Sequence, residues 1–557
     1  MIHFASITLS FILPAVEEKF VIPQLSLVGN TEFRTAIGAG RMVAKAILLL
    51  FVTITYGYNV DTRFPIIYSA GSVREDRGSY YGYAVHLYYE PANDVSWLII
   101  GAPRGNYSWS RDQDPLQATE HGVVIRCTID TNNKTCQEVR PRDIGVQRRS
   151  LAQLGLNLDI NKQYGWFGSA VSIDESNGML TVCAPRTIIS IFNHYPTSFL
   201  ESLQGMCYSG NISSNTLLLE EKNLKTHDFQ AKFWYDPMYG FSIHYARVKR
   251  NGSSAGKETS RIIGKPKHET YGTVDIDYSS KRISVELPIS DELSQFGFSV
   301  ESGYFFDKNQ LLYASGAPGW KYVGQVAIIN PAIDAPIVGK LHGTSIGEFF
   351  GGSLAVGDLD NDGLDDLLVG APYWGQDNGK VYIYLGTEKG QFGAIAPLQG
   401  TVEGAHFGYA IASGDLDADG FYDIIVGAPW EESGVIYIYN GGPDMKDKKL
   451  QASQRIDAKS MLVLNTTPKI ERFGFSISKP VDIDGNGYPD LAVGAYKSGH
   501  AIVLRTKPVA KTTLSITIVP EIIERDAKEF VIDICLEYDG SNIHRGQGKQ
   551  VFQSFVH

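Results

Sequence analysis

The chain has 557 residues but only five cysteines, 50 basic side chains against 61 acidic ones, and no long apolar stretch beyond its first tenth. Each shortage excludes something. A net charge of −11 with no Lys/Arg cluster argues against nonspecific nucleic-acid binding, which needs concentrated positive charge. The lack of an 18-residue apolar run after residue 57 leaves no membrane-spanning helix in this stretch of chain. The twelve histidines show no metal-ligand spacing. No sustained helical period appears between residues 58 and 506, so an all-β architecture is expected.

The few cysteines are suggestively placed. Cys127/Cys136 and Cys183/Cys207 are close in sequence, as local disulfides would be, and Cys535 is left over. Residues 1–57 read as an extended leader. Arg41 and Lys45 precede the apolar run Ala46 to Thr55, a basic region followed by a hydrophobic one, as in a secretory signal. Translation from Met42 would place that signal at the N-terminus; a weaker signal at Phe4 to Pro14 is the alternative. Five N-x-[ST] sequons, at Asn106, Asn133, Asn211, Asn251 and Asn465, add to an extracellular expectation.

Glycine is abundant, and it marks a repeat. An aromatic–Gly pair recurs at Tyr81, Phe167, Tyr239, Phe296, Phe350, Phe407 and Phe473. About 19 residues after each comes Gly-Ala-Pro or a relic of it, starting at Gly101, Cys183, Gly264, Gly316, Gly370, Gly427 and Gly494. Between the halves lie short runs rich in Leu, Val, Ile and Tyr, such as Asp366 to Pro372 and Lys380 to Tyr384, bounded by turn residues. Seven copies of roughly 55–85 residues, each supplying about four strands, predict a seven-bladed β-propeller over 58–506. The seven aromatics are expected around the channel mouth or between blades. After Lys507 two longer alternating segments, from Thr512 and from Phe530, suggest a partial second domain over 507–557.

Three of the repeats carry an acidic loop. Oxygen-bearing residues fall at positions 1, 3, 5 and 9: Asp358, Asp360, Asp362 and Asp366; Asp415, Asp417, Asp419 and Asp423; Asp482, Asp484, Asn486 and Asp490. Glycine stands at position 6, and Leu364, Phe421 and Tyr488 offer a backbone carbonyl at position 7. Several carboxylates in one tight loop repel unless a cation neutralises them, and all-oxygen, flexible ligation suits Ca²⁺. An EF-hand shares the opening of this motif, but its twelfth-position Glu is replaced by Val369, Val426 and Val493, and the flanks read as strands. Three structural calcium ions are expected, each stapling a hairpin.

An aromatic–Gly, an Asp-x-Asp-x-Asp-Gly-x-x-Asp loop and a Gly-Ala-Pro, in that order, resemble the FG-GAP repeat of integrin α-subunit propellers. Tyr58 to Asp61, Gly78 to Tyr83 and Leu98 to Pro103 are similar to that family's first blade, and the two cysteine pairs match two of its disulfides. The resemblance implies a cell-surface adhesion receptor, not an enzyme. Its partner would be an integrin β subunit, bound noncovalently, with an extracellular-matrix ligand held at the α/β seam. The seven aromatics would help cage a basic side chain from β. About thirty residues between Cys207 and Tyr239 leave no room for an inserted I domain. Leu293 stands where Arg-Gly-Asp-binding relatives have an Asp, so a laminin-type ligand is equally open; Glu301 to Asn309 lacks a fourth acidic loop. The segment 507–557 would begin an immunoglobulin-like thigh domain, with the membrane anchor further on. The rival readings are a soluble, calcium-dependent glycan- or protein-binding propeller and a propeller hydrolase or lyase. Gly252 to Gly256 matches a nucleophile-elbow pattern, yet a loop beside Arg247 to Arg250 suits it better.

Overall fold

The computed structural model describes residues 59–70, 78–106, 120–129, 135–142, 147–151, 156–193, 199–220, 236–246, 260–278, 281–288, 292–446, 449–459, 461 and 469–509, with six strands outside these ranges. The chain divides into two compact units, 60–506 and 1–59 with 507–557.

The larger unit is a seven-bladed β-propeller built from antiparallel blades. Blade four is representative: Ser299–Gly303, Leu312–Ala317, Gln325–Ile329 and Ile337–His342 pair in chain order. Blades three, five and six repeat this path. Blades one and two do so as well, and are fused edge to edge by a parallel pairing of Thr216–Leu219 with Cys136–Pro141. The seventh sheet corrects the sequence reading. Val60–Ser69 precedes blade one in the chain, but it pairs with His500–Thr506 as the outermost strand of blade seven. The first strand of the larger unit therefore joins that unit's two ends and closes the ring.

One sheet has no counterpart in the repeat. Gln147–Leu151, Leu156–Asn161, Ile188–Asn193 and Phe199–Leu203 form a separate four-stranded sheet, half of it inserted within blade two.

The core lies between blades. Leu368, Val381 and Ile383 of blade five pack with Ile424, Val426 and Val435 of blade six. Leu98 and Ile100 of blade one pack with Ala492 and Val503 of blade seven and Ile66 of the closing strand. Each Leu, Ile or Val among them contributes roughly 1.5–3 kcal/mol on burial. Both faces of each sheet are thus covered, which explains strands apolar almost throughout, such as Leu491–Ala495.

The repeated glycines set the blade spacing. A Cβ on Gly316 would lie 2.0 Å from the Gly351 carbonyl oxygen of the next blade, and one on Gly494 would lie 2.0 Å from that of Gly82 across the ring closure. Only a hydrogen fits there. A serine two residues after the aromatic–Gly glycine clamps the same contact: Ser299 Oγ donates to the Gly351 carbonyl at 2.7 Å, and Ser476 Oγ to that of Gly82 at 2.9 Å. Blade two, whose relic reads Cys-Ala-Pro, instead carries a disulfide. Cys183–Cys207 and Cys127–Cys136 are both bonded.

In the smaller unit Lys511–Val519, Phe530–Asp539 and Gln550–Val556 form an antiparallel sheet, joined at its edge by Leu25–Leu27. Phe20–Val21 pairs with Ile522–Ile523. Pairing between the leader region and the C-terminal strands was not legible in the sequence.

Candidate metal centre

In blade five the chain runs from Phe350 along Ser353–Gly357, turns through the acidic loop, and returns along Asp366–Ala371 to Tyr373. The acidic loops and the aromatic–Gly turns therefore sit at opposite ends of the same strands.

The three loops share one hydrogen-bond plan. The first Asp accepts from the backbone: Asp358 from the N–H groups of Asp362 (3.1 Å) and Gly363 (2.9 Å), and Asp415 from Asp419 (3.0 Å) and Gly420 (2.9 Å). Asp482 accepts from Asn486 and Gly487. The ninth residue anchors the loop to its own sheet. Asp366 accepts from Leu359 and Gly386, Asp423 from Leu416 and Gly441, and Asp490 from Ile483 and Thr506. Position 6 is left-handed, at φ 87°, 94° and 86° for Gly363, Gly420 and Gly487. Position 4 is left-handed too, at Asn361, Ala418 and Gly485, a requirement the motif did not reveal.

Carboxylate oxygens converge in each loop. Asp358, Asp360 and Asp366 bring ligand atoms within 4.8 Å of one another, as do Asp415, Asp417 and Asp423, and Asp482, Asp484 and Asp490. Asp366, Asp423 and Asp490 are at most 1% exposed. Without a cation, burial pushes Asp366 up to about 8, Asp490 to about 7 and Asp417 to about 6, with neighbouring carboxylates raising each further. Asp423 is held well above the usual range by the same causes. Asp360 Oδ1 and Asp417 Oδ1 are buried without a hydrogen-bond donor. An acceptor-only oxygen in that position is costly unless a cation meets it. The donor set therefore fits a hard divalent ion. Asp362, Asp419 and Asn486 instead accept from the position-7 N–H groups of Leu364, Phe421 and Tyr488.

The aromatic–Gly residues lie elsewhere than a partner site requires. Tyr81, Phe167, Tyr239, Phe296, Phe350, Phe407 and Phe473 are all buried between blades, at 7% exposure or less. Buried rings present no face to a partner. The rings at that end of the strands belong to their neighbours. The residue before each of the seven is non-glycine with positive φ: Tyr80, Trp166, Met238, Gln295, Phe349, His406 and Arg472. That turn recurs at every blade, at a cost of about 1 kcal/mol each. With residues following the Gly-Ala-Pro relics and the aromatic–Gly pairs, these side chains make a belt. Phe241 meets Phe298 at 4.9 Å, Phe298 meets Phe349 at 5.1 Å, and Phe349 meets Tyr373 at 5.3 Å. It continues through His406, Trp430, Tyr409, Phe475 and Tyr496 to Tyr80, Tyr83 and Trp166. Arg104, Arg186 and Arg472 lie 4.9–5.0 Å over Tyr80, Trp166 and Trp430. Most of the belt is half-buried, and Tyr373 is exposed.

Leu293 is 66% exposed at φ 60°. Asn211 is exposed and Asn106 half-buried. Asn133, Asn251, Asn465, the Gly252 to Gly256 motif and the Met42 start lie outside the described residues. Among the described residues no helix is long and apolar enough to cross a membrane.

A family model for the FG-GAP repeat matches residues 350–384 and 407–439, which lie in blades five and six. The chain is similar to integrin α subunits over most of its length. It is 30% identical to integrin alpha-PS2 of Drosophila melanogaster, over 86% of this chain and 36% of that protein. It is 28% identical to integrin alpha-5 of Xenopus laevis, over 90% of this chain and 49% of the relative. It is 28% identical to integrin alpha-V of Gallus gallus, over 89% and 48%. The chain thus spans half or less of the length of these relatives. The β-propeller domain of Myceliophteria thermophila Cps50 (Swd1) overlays at a TM-score of 0.41 and 10% identity, covering 80% of this chain and 100% of that one, too slight a likeness to add to the sheet count.

Proposed function

We propose that this chain is the head of an integrin α subunit, a cell-adhesion receptor part that pairs with an integrin β subunit at the cell surface and binds extracellular-matrix ligands. The observation that carries the reading is the threefold acidic loop, with buried carboxylates poised for a cation, in a chain similar to integrin α subunits.

On this reading each loop holds one Ca²⁺. The ligands are the side chains at positions 1, 3, 5 and 9 and the carbonyls of Leu364, Phe421 and Tyr488. The bound ion neutralises the clustered acids and locks the hairpin between the first two strands of blades five, six and seven. It performs no chemistry on a substrate, and the chain is a binding module. At the other end of the strands, the aromatic belt is the surface that fits a β subunit. A basic side chain entering it would gain about 0.5–2 kcal/mol from ring faces. Leu293 itself offers no charge for a ligand arginine, but Asp291 and Glu292 precede it, so Arg-Gly-Asp and laminin-type ligands are equally open on this reading. Asn106 and Asn211 would carry glycans, and 507–557 would open an immunoglobulin-like leg domain.

Co-secretion of the chain with a β-subunit ectodomain in millimolar Ca²⁺, followed by pull-down and gel filtration, tests the proposal. A one-to-one complex that dissociates on chelation is the expected result. A calcium-stabilised monomer that ignores every β subunit would replace it with a soluble binding propeller.

A further inference from the structure

The loops of blades five and six carry the same four aspartates at positions 1, 3, 5 and 9, but their surroundings differ in charge. Blade four, which has no acidic loop of its own, sends Lys308 across to blade five. Its Nζ donates to the Asp362 carbonyl at 2.6 Å. The side chain lies over Gly363 so closely that a Cβ there would come within 2.6 Å of Nζ. From the other side Lys446 of blade six brings its Nζ to 3.8 Å from Asp360 Oδ2. The blade-six loop has neutral neighbours in the corresponding places. Asn361 covers Gly420, and Asn440 Nδ2 donates to Asp417 Oδ2 at 3.1 Å.

We propose that Lys308 and Lys446 are built-in competitors for the blade-five cation, so that this loop binds Ca²⁺ more weakly than the blade-six loop with the same carboxylates. The inference rests on the calcium reading above. An ammonium near a divalent ion repels it, and one on a ligand carboxylate must be displaced before the ion enters. For two exposed lysines the combined effect is at most roughly tenfold in affinity at low ionic strength. It shrinks as salt screens the charges.

The test is calorimetric titration of the full chain with Ca²⁺, comparing wild type with a Lys308→Met/Lys446→Met variant at low and high ionic strength. Asp360→Asn assigns the blade-five step. The expected result is that the step lost in Asp360→Asn tightens by up to about tenfold in the lysine variant, less so in high salt, while the other steps hold. Lys308→Arg, which keeps the charge, retains wild-type affinity. If the double variant is not secreted, Lys446→Met alone, at an exposed position, tightens the same step about threefold. A change of less than twofold in that step, or a change confined to another step, overturns the proposal while leaving calcium binding intact. Absence of any calcium binding by the wild-type chain overturns the calcium reading and this proposal together.

Discussion

Gly316→Ala perturbs the contact that sets the distance between blades. The added Cβ would stand 2.0 Å from the Gly351 carbonyl oxygen and 2.3 Å from Ser299 Oγ. Carbon and oxygen need more than 3 Å, so blade five must retreat by over about 1 Å or the Ser299 hydroxyl must swing away. Retreat opens a cluster in which Leu312, Ala314 and Val326 of blade four meet Leu367 and Val369 of blade five. Swinging away forfeits the 2.7 Å hydrogen bond to the Gly351 carbonyl. Overpacking costs about 1–3 kcal/mol and the lost bond about 1 kcal/mol, so about 3 kcal/mol of destabilisation is expected. Gly339→Ala is the matched control, since its Cβ would meet Ile328 at an ordinary 3.5 Å. Urea unfolding in saturating Ca²⁺, followed by tryptophan fluorescence, measures both. Equal midpoints for Gly316→Ala and Gly339→Ala would refute the claim that this glycine spaces the blades.

The closing strand and a buried charge network supply two further expectations. Ile66→Ala should destabilise by about 3 kcal/mol, because Ile66 fills the junction of blades one and seven, whereas Phe64→Ala, 74% exposed on the same strand, should fall within about 0.5 kcal/mol of wild type. Comparable losses for both would place the closure elsewhere. In blade three, burial alone would raise Asp277, but the Arg282 and Arg261 guanidiniums outweigh it and hold the carboxyl down to about 2. A depressed folded pKa contributes stability that is complete above the unfolded value near 4 and is lost as pH falls through about 2. The stability gap between wild type and Asp277→Asn, about 2 kcal/mol at neutral pH, should therefore close between pH 4 and 2. A gap constant across that window would show that the ion pairs contribute nothing pH-dependent.

Local chemistry was legible in the sequence wherever it repeats. The seven aromatic–Gly pairs and their Gly-Ala-Pro partners marked the blades, because close backbone approach admits only glycine and that demand recurs at the first residue of six of the seven Gly-Ala-Pro relics, blade two having Cys183 there. The acidic loops were legible for the same reason: oxygen spacing and a left-handed position 6 are properties of a single hairpin. Contacts between distant segments were not. The strand Val60–Ser69 belongs to blade seven because ring closure needs an outer strand there, and nothing in its own residues names His500–Thr506 as the partner. The seven aromatics are each typical of a core or of a binding face, and only packing decided for the core. The belt at that end of the strands is assembled from single residues of many loops, and four of them, Tyr80, Trp166, Phe349 and His406, sit on left-handed backbone that no motif records. Lys308 likewise reads as one more lysine in a loop without a pattern, until the ring sets it against the carboxylates of the next blade. The sequence by itself determined how each hairpin turns and what it can hold, since those depend on neighbours along the chain. The tertiary structure decided which surfaces face each other, since that depends on seven similar units closing on themselves.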